Sequence, residues 1–357
     1  MIIFKRLYVV HMVSIKLLVA LSMSWFENIF GFEETSYYDT QAKFCQHGAE
    51  LFTMDTPSRS FHSGSLILPS LAELRKEVLT LPVKPVGKIK LSGVQIDAYE
   101  LHRRPEVCGA LIQVASQFNL LEMPTQYTTP EKGITGYQND NTQGPACAMA
   151  CAAATVYRNY LVRTGGQIGQ TSDIQLNTLA DMDKLIGIPG IRMQNGYAMM
   201  SQKTLLAISR HIESLDESLL DKLRQSLRVG MHVNTEVTIP GVLKEHRVTQ
   251  VLCSALPVAY HRYPVNDWKP FALLILQACY EATLLAGLIN YHYTGNPRIY
   301  LTLVGGGAFG NSPEWITSAL RRALCLFRNY PLDVYLVSNR KLPVEIYGFL
   351  HEIACQL

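Results

Sequence analysis

Apolar runs of four to eight residues alternate with longer amphipathic segments along most of this chain, and the spacing predicts strands interleaved with helices. IKLSGVQI (89–96) and GALIQVASQFNLLEM (109–123) read as strands, the second a continuous apolar run broken by Gln117 and Asn119 near its end. A loop with Pro124, Pro130 and Gly133 follows, leading through YQNDNTQGP to a small-residue helix, ACAMACAAATVYRNYL (146–161), with Pro145 in its first turn. Residues 163–200 are polar and glycine-punctuated and read as loops. Residues 201–228 give two amphipathic helices, one with Leu205, Ile208, Ile212 and Leu215 on one face, the next restarting at Asp216. Then come a strand within HRVTQVLCSALPVAYH, a helix in PFALLILQACYEATLLAGLINY, the strand LTLV, the helix WITSALRRAL, the strand DVYLVS and a closing helix from Pro343. This order predicts an α/β fold: three layers, α/β/α, around a mixed or mainly parallel sheet.

Ahead of this pattern, residues 24–88 predict a short helix (WFENIFGF), polar strands around Ala49–Met54 and Ser65–Leu68, and a helix over 71–79 begun by Pro69-Ser70. LPVKPVGK is the best linker. The expected organisation is a hydrophobic extension (1–23), an N-terminal α+β extension (24–88) and an α/β domain (89–357) with a helical insertion at about 163–245.

The most informative segment is LTLVGGGAFGN (301–311), an apolar strand that ends in three consecutive glycines. Such an end leaves backbone N–H groups uncovered, and Ser312-Pro313-Glu314 opens a helix whose N-terminus favours anions. Gly305, Gly307 and Gly310 also satisfy GxGxxG. A dinucleotide-binding fold would need an acidic residue at the far end of the next strand and further βαβ units. Instead, Asp333 starts that strand, Ser338 and Asn339 end it, and only one helix remains. A purely structural glycine turn is the other alternative.

Of the 357 residues, 48% are apolar and 17% charged, a globular composition, and the net charge of +3 with no basic run argues against nucleic acid as a partner. Eight scattered cysteines form no CxxC and no Cys/His cluster, so no metal is expected, and they read as reduced thiols of a cytoplasmic protein. The start, MIIFKR followed by LYVVHMVSIKLLVALS, has the form of a secretory signal or anchor. His11 and Lys16 interrupt it and it is too short to span a bilayer, so the alternative is an extension before Met23 that contributes nothing to the fold.

Two segments share one architecture, a strand, a loop rich in Gly, Asn and Gln, and a helix N-terminus: Gln117–Asn119 with Asn139–Pro145, and Gly305–Asn311. In an α/β sheet both belong at strand carboxyl ends, where ligands bind, and together they could enclose a diphosphate. On VASQFN, TQGPACAMA, CYEATLLAG and LTLVGGGAFGNSPEWI the chain resembles the macro domains and their relatives the poly(ADP-ribose) glycohydrolases, over roughly residues 90–357. The resemblance implies a macro-domain-like fold that binds ADP-ribose or an ADP-ribosylated protein with no cofactor. It implies Asn119 at the distal ribose, and Gln143 and Gly144 at the first diphosphate loop. Gly305, Gly306, Gly307, Ala308, Phe309, Gly310 and Asn311 would form the second, with Phe309 against the ribose and Asp97 at the adenine amino group. Pro145 departs from the family's glycine run, and the paired-glutamate catalytic motif is absent.

For hydrolysis of an ADP-ribosyl linkage, Asp140 and Asn119 are the catalytic candidates, and Glu281 is a second acidic one. Each competes with a structural role: an Asx turn for Asp140, a turn closure for Asn119, core packing for Phe309, a solvated or backbone-bonded helix position for Glu281. Gln143 followed by Cys147 at a helix N-terminus also fits a cysteine hydrolase, although His246, His261 and His292 lie in no partner motif. A non-catalytic binding or scaffold module is the third reading.

Overall fold

The computed structural model describes residues 23–82 and 86–354. Residues 1–22 of the hydrophobic extension, and Cys355, fall outside the described residues. The fold is built on a seven-stranded mixed sheet made of β1 (Ser65–Ile67), β2 (Lys90–Gln95), β3 (Leu111–Ala115), β4 (Gly230–Glu236), β5 (Arg247–Cys253), β6 (Arg298–Leu301) and β7 (Asp333–Ser338), in the order β1-β4-β5-β3-β6-β7-β2. β5, β3, β6, β7 and β2 run parallel, and β1 and β4 are antiparallel additions at one edge.

Alternation along the strands fills two cores. Leu111, Ile299, Leu301, Val334 and Leu336 face α1 (Leu71–Thr80), α3 (Gln202–Glu213), α4 (Glu217–Ser226), α5 (Lys269–Thr294), α6 (Pro313–Phe327) and α7 (Val344–Ala354). Ile112, Val114, Tyr300 and Val337 face the short helix Ala98–His102 and α2 (Gln143–Ala150). Both faces are covered, as the three-layer expectation requires. α5 is long and apolar enough to cross a membrane, yet it is a buried core helix.

Three departures from the sequence reading have physical causes. The sheet takes a strand from each segment set apart as an extension or insertion: β1 from 24–88 and β4 from 163–245. The predicted helix over 146–161 breaks at Cys151 (φ −120°, ψ 61°), resumes over Ala152–Val156 and ends in a π turn over Tyr157–Leu161. Thr238 bridges the break, its N–H donating to the Ala150 carbonyl at 2.8 Å and its hydroxyl accepting from the Ala152 N–H at 2.9 Å. The loop-rich 163–200 stretch contains two small hairpins and a helix over Ala180–Ile186.

Glu281, the second acidic candidate, is buried in α5 within an ionic network. Its carboxylate takes Arg75 Nε and Arg322 Nη1, each at 2.6 Å, and Arg75 also makes a bidentate pair with Asp221. This ties α5 to α1, α4 and α6 and leaves no oxygen free for chemistry. Removing a buried partner strands the charges opposite it, so Glu281→Ala should cost about 2–4 kcal/mol in urea denaturation.

Candidate functional site

The parallel strands bring their carboxyl ends to one side of the sheet, and the residues that follow line a cleft of about 570 Å³. Ile96 and Asp97 come after β2, Ser116 and Gln117 after β3, Ala255 and Tyr260 after β5, Thr302–Phe309 after β6, and Asn339–Lys341 after β7. The chain leaves β3 toward the α2 face and β6 toward the α6 face. The neighbouring strands β3 and β6 therefore diverge at the cleft, the geometry of a topological switch point.

Two groups of residues with unpaired backbone donors line this space. In the glycine loop, Gly305 adopts φ +75° and Gly310 φ +70°, closed by Gly310 N–H to the Gly307 carbonyl at 3.0 Å and Asn311 N–H to the Gly305 carbonyl at 2.9 Å. The N–H groups of Gly305, Gly307, Ala308 and Phe309 find no acceptor among the described residues, and Gly306, Gly307 and Ala308 are exposed. The second group is the start of α2. Thr142 makes no side-chain cap there, and nothing described accepts from the N–H of Gln143 or Gly144. Gly144 packs so closely on the Ala115 carbonyl and the Glu122 side chain that a Cβ would collide with both.

The structure brings together Asp97, Asp140, Gln143, Gly144 and Gly305–Phe309 from the sequence candidates. Asp97 is exposed and caps the Ala98–His102 helix, its Oδ1 accepting from Tyr99 N–H at 2.8 Å. Asp140 Oδ1 accepts from Thr142 N–H at 2.8 Å, the Asx turn weighed against a catalytic role, with the carboxylate half-buried at the cleft. Gln143 bonds the Gln113 carbonyl and the Ala115 N–H and so ties α2 to β3.

Asn119 is not among the residues lining the cleft. It is fully buried, with Nδ2 donating to Gln175 at 2.9 Å and Oδ1 accepting from Leu121 N–H at 3.1 Å; it closes a turn, and the ribose and catalytic roles expected for it have no support. Gly310 and Asn311 also stand outside the lining. Gly310 turns the loop, and the Asn311 amide donates to the Leu256 carbonyl at 2.9 Å. The cysteine-hydrolase reading fails, because Cys147 is fully buried and burial pushes its thiol well above the usual range. None of the residues lining the cleft is a histidine.

Sequence reasoning missed Glu122. It lines the cleft beside Gly144 and is 2% exposed, and neither carboxyl oxygen has a partner among the described residues. Burial pushes this carboxyl up to about 8, against the pull of Arg158 and with a contribution from Asp140. Tyr197 and Tyr260 were missed as well. With Phe309 they form an aromatic cluster, ring centroids 5.1–5.7 Å apart, on one wall. No sequence signal marks any of the three, since their neighbours in the chain carry no motif. Among the described residues, no cluster of His, Cys, Asp and Glu could hold a metal.

No protein-family model and no curated protein matches this chain. Among solved structures it is similar to the poly(ADP-ribose) glycohydrolase from Thermomonospora curvata, at 12% identity and a TM-score of 0.41 over 85% of this chain and 93% of that one. It is also similar to the enzyme of that name from Deinococcus radiodurans in complex with ADP-ribose, at 10% identity and 0.42 over 82% and 95%.

A carboxyl kept neutral by burial makes the folded state hold one more proton than the unfolded state from about pH 4.5 to about pH 8, so it lowers stability as pH rises through that window. Glu122→Gln should therefore raise stability at pH 7 by on the order of 3 kcal/mol, with the gain vanishing below pH 4 in urea titrations. In the folded protein, iodoacetamide at neutral pH should label the exposed Cys108 and Cys325 and leave Cys147 untouched, as read by peptide mass spectrometry.

Proposed function

We propose that the chain binds ADP-ribose, or a nucleotide diphosphate like it, in this cleft. The observation that carries the reading is the pair of free N–H clusters, one at the start of α2 and one on the glycine loop, carried by residues that line a single cleft. Two adjoining phosphates match two such clusters, each N–H giving a charge-assisted bond. The cleft volume lies within the range of small-ligand sites. The aromatic wall of Tyr197, Tyr260 and Phe309 offers a surface for a ribose, and Asp97 stands among the lining residues as an acceptor for an adenine amino group. Asp333 pairs with Lys90 at 3.2 Å outside the cleft lining, which supports the choice against a dinucleotide-binding loop.

Hydrolysis of an ADP-ribosyl linkage, with an ADP-ribosylated protein as partner, is a second reading. It is favoured by two carboxyls of unequal surroundings in one cleft. Glu122, buried and protonated at neutral pH, can give a proton to a leaving oxygen; Asp140, half-buried at the cleft, can accept one from a water there. Incubation with an ADP-ribosylated protein, beside ADP-ribose titration, separates this reading from a non-catalytic scaffold.

Gly307→Glu places a carboxylate among the free donors, and each charge-assisted bond lost is worth about 1.5–3 kcal/mol. The variant should weaken ADP-ribose binding at least about tenfold by calorimetric titration, while Asp333→Asn leaves it unchanged. Tight NAD binding abolished by Asp333→Asn would favour the dinucleotide fold, and no binding of either ligand would return the loop to a structural turn.

A further inference from the structure

Glu122 belongs to a loop whose polar neighbours all hold backbone and leave its carboxyl alone. The Gln117 amide makes both bonds to Met123, donating to its carbonyl at 3.2 Å and accepting from its N–H at 2.7 Å. Asn119 Oδ1 accepts from Leu121 N–H, and Gln170 donates to the Asn119 carbonyl at 3.0 Å. Arg158 Nε donates to the Leu120 carbonyl at 3.0 Å, the Tyr137 hydroxyl accepts from Glu122 N–H at 3.0 Å, and the Tyr197 hydroxyl donates to the Met123 carbonyl at 2.8 Å. Leu120 is held at φ +65°, a left-handed conformation unfavourable for leucine, which persists only where the surroundings over-determine it. The carboxyl so positioned is buried and without a partner among the described residues, on a side chain whose Cγ packs against Gly144, the residue that with Gln143 carries the free N–H groups.

We propose that Glu122 binds ligand as an uncharged acid, its O–H donating to an anionic oxygen of the diphosphate held at the N-terminus of α2, so that ligand binding is linked to one proton. The proposal rests on the binding reading above and assigns Glu122 to recognition, whatever the outcome for hydrolysis. An ionised carboxylate there would face the phosphate without an intervening cation and repel it, whereas the neutral acid supplies a donor that the N–H groups complement.

The groups that set the charge state come from each neighbouring element. They are Arg158 from the π turn, Asp140 ahead of α2, Tyr137 from the 3₁₀ turn over Thr135–Asn139, and the Cys147 thiol within α2. Burial raises both Tyr137 and Cys147, so neither ionises below pH 9. Arg158 is fully buried and bonded to the loop at the Leu120 carbonyl. Glu122, pushed up to about 8, is the one of these groups whose shift places its change of charge between pH 6 and 9.

ADP-ribose is the probe, because its diphosphate diester keeps the same charge across that range. In calorimetric titrations the affinity of the wild-type protein should be level from pH 6 to about 8, then fall roughly tenfold per pH unit. Glu122→Gln, which keeps an N–H donor and cannot ionise, should bind without that fall. Wild-type protein titrated at pH 8.5 in buffers of different ionisation enthalpy should take up roughly three quarters of a proton per ligand, a readout independent of any variant. Binding that is level to pH 9.5, the same slope in Glu122→Gln, or no proton uptake would overturn the proposal and leave the binding reading intact. No ADP-ribose binding at any pH would overturn both.

Discussion

A buried loop must find partners for all its backbone polar groups, and the segment leaving β3 shows what this demands. β3 is central, bonded on both sides and covered on both faces, so the chain that follows it cannot turn away into solvent. Phe118 through Met123 stay buried, and Arg158 from the π turn, Tyr137 from the 135–139 turn, Gln170 from the 170s loop and Tyr197 from the 197–199 strand hold their backbone. The N-terminal segment packs on the same loop. Phe26, Phe30 and Tyr37 share a core with Leu121, Met123 and Tyr137, and Glu34 accepts from the N–H groups of Ile134 and Thr135. Residues that look accessory by sequence therefore help set the position of Glu122.

A cleft made of strand ends inherits the rigidity of the sheet. The N–H groups of the glycine loop are fixed by β6 and the Ser312 cap of α6, and those of α2 by Gln143 bridging to β3. β3 and β6 are direct neighbours in the sheet, so the two donor clusters keep their spacing without a hinge. Donors set in place before ligand arrives require no reorganisation on binding.

Much of this was legible. β3, β6 and β7 are short apolar runs bounded by turn residues, and the triple glycine announces a loop that side chains would obstruct. What remained hidden depends on contacts distant in sequence. β4, GMHVNTE, reads as polar, yet His232, Thr235 and Glu236 are buried in the sheet, and a bulge with Asn234 at φ +56° interrupts its register. The break at Cys151 needs Thr238, over eighty residues away. Asn119 carried the same residue type at the same kind of strand end as a ligand-binding asparagine, but Gln175 claims its amide. Glu122, in LLEM, has no local mark at all, because its character comes from burial and from neighbours that all bond elsewhere.

The charge distribution around the cleft links these parts. Among the described residues its lining cations are Arg340 and Lys341, both exposed and beyond β7, while the part near β3 and α2 has backbone dipoles and the carboxyls of Glu122 and Asp140 in their place. Dipoles neutralise an anion less completely than a guanidinium would, so a further negative charge beside them is poorly tolerated. The buried Arg158 guanidinium lends positive potential from behind the loop, but its hydrogen bonds go to the Leu120 carbonyl and the Thr155 hydroxyl, not to a carboxylate. An acid at position 122 is compatible with such a site in its protonated form, which is the form that desolvation imposes there before any ligand arrives.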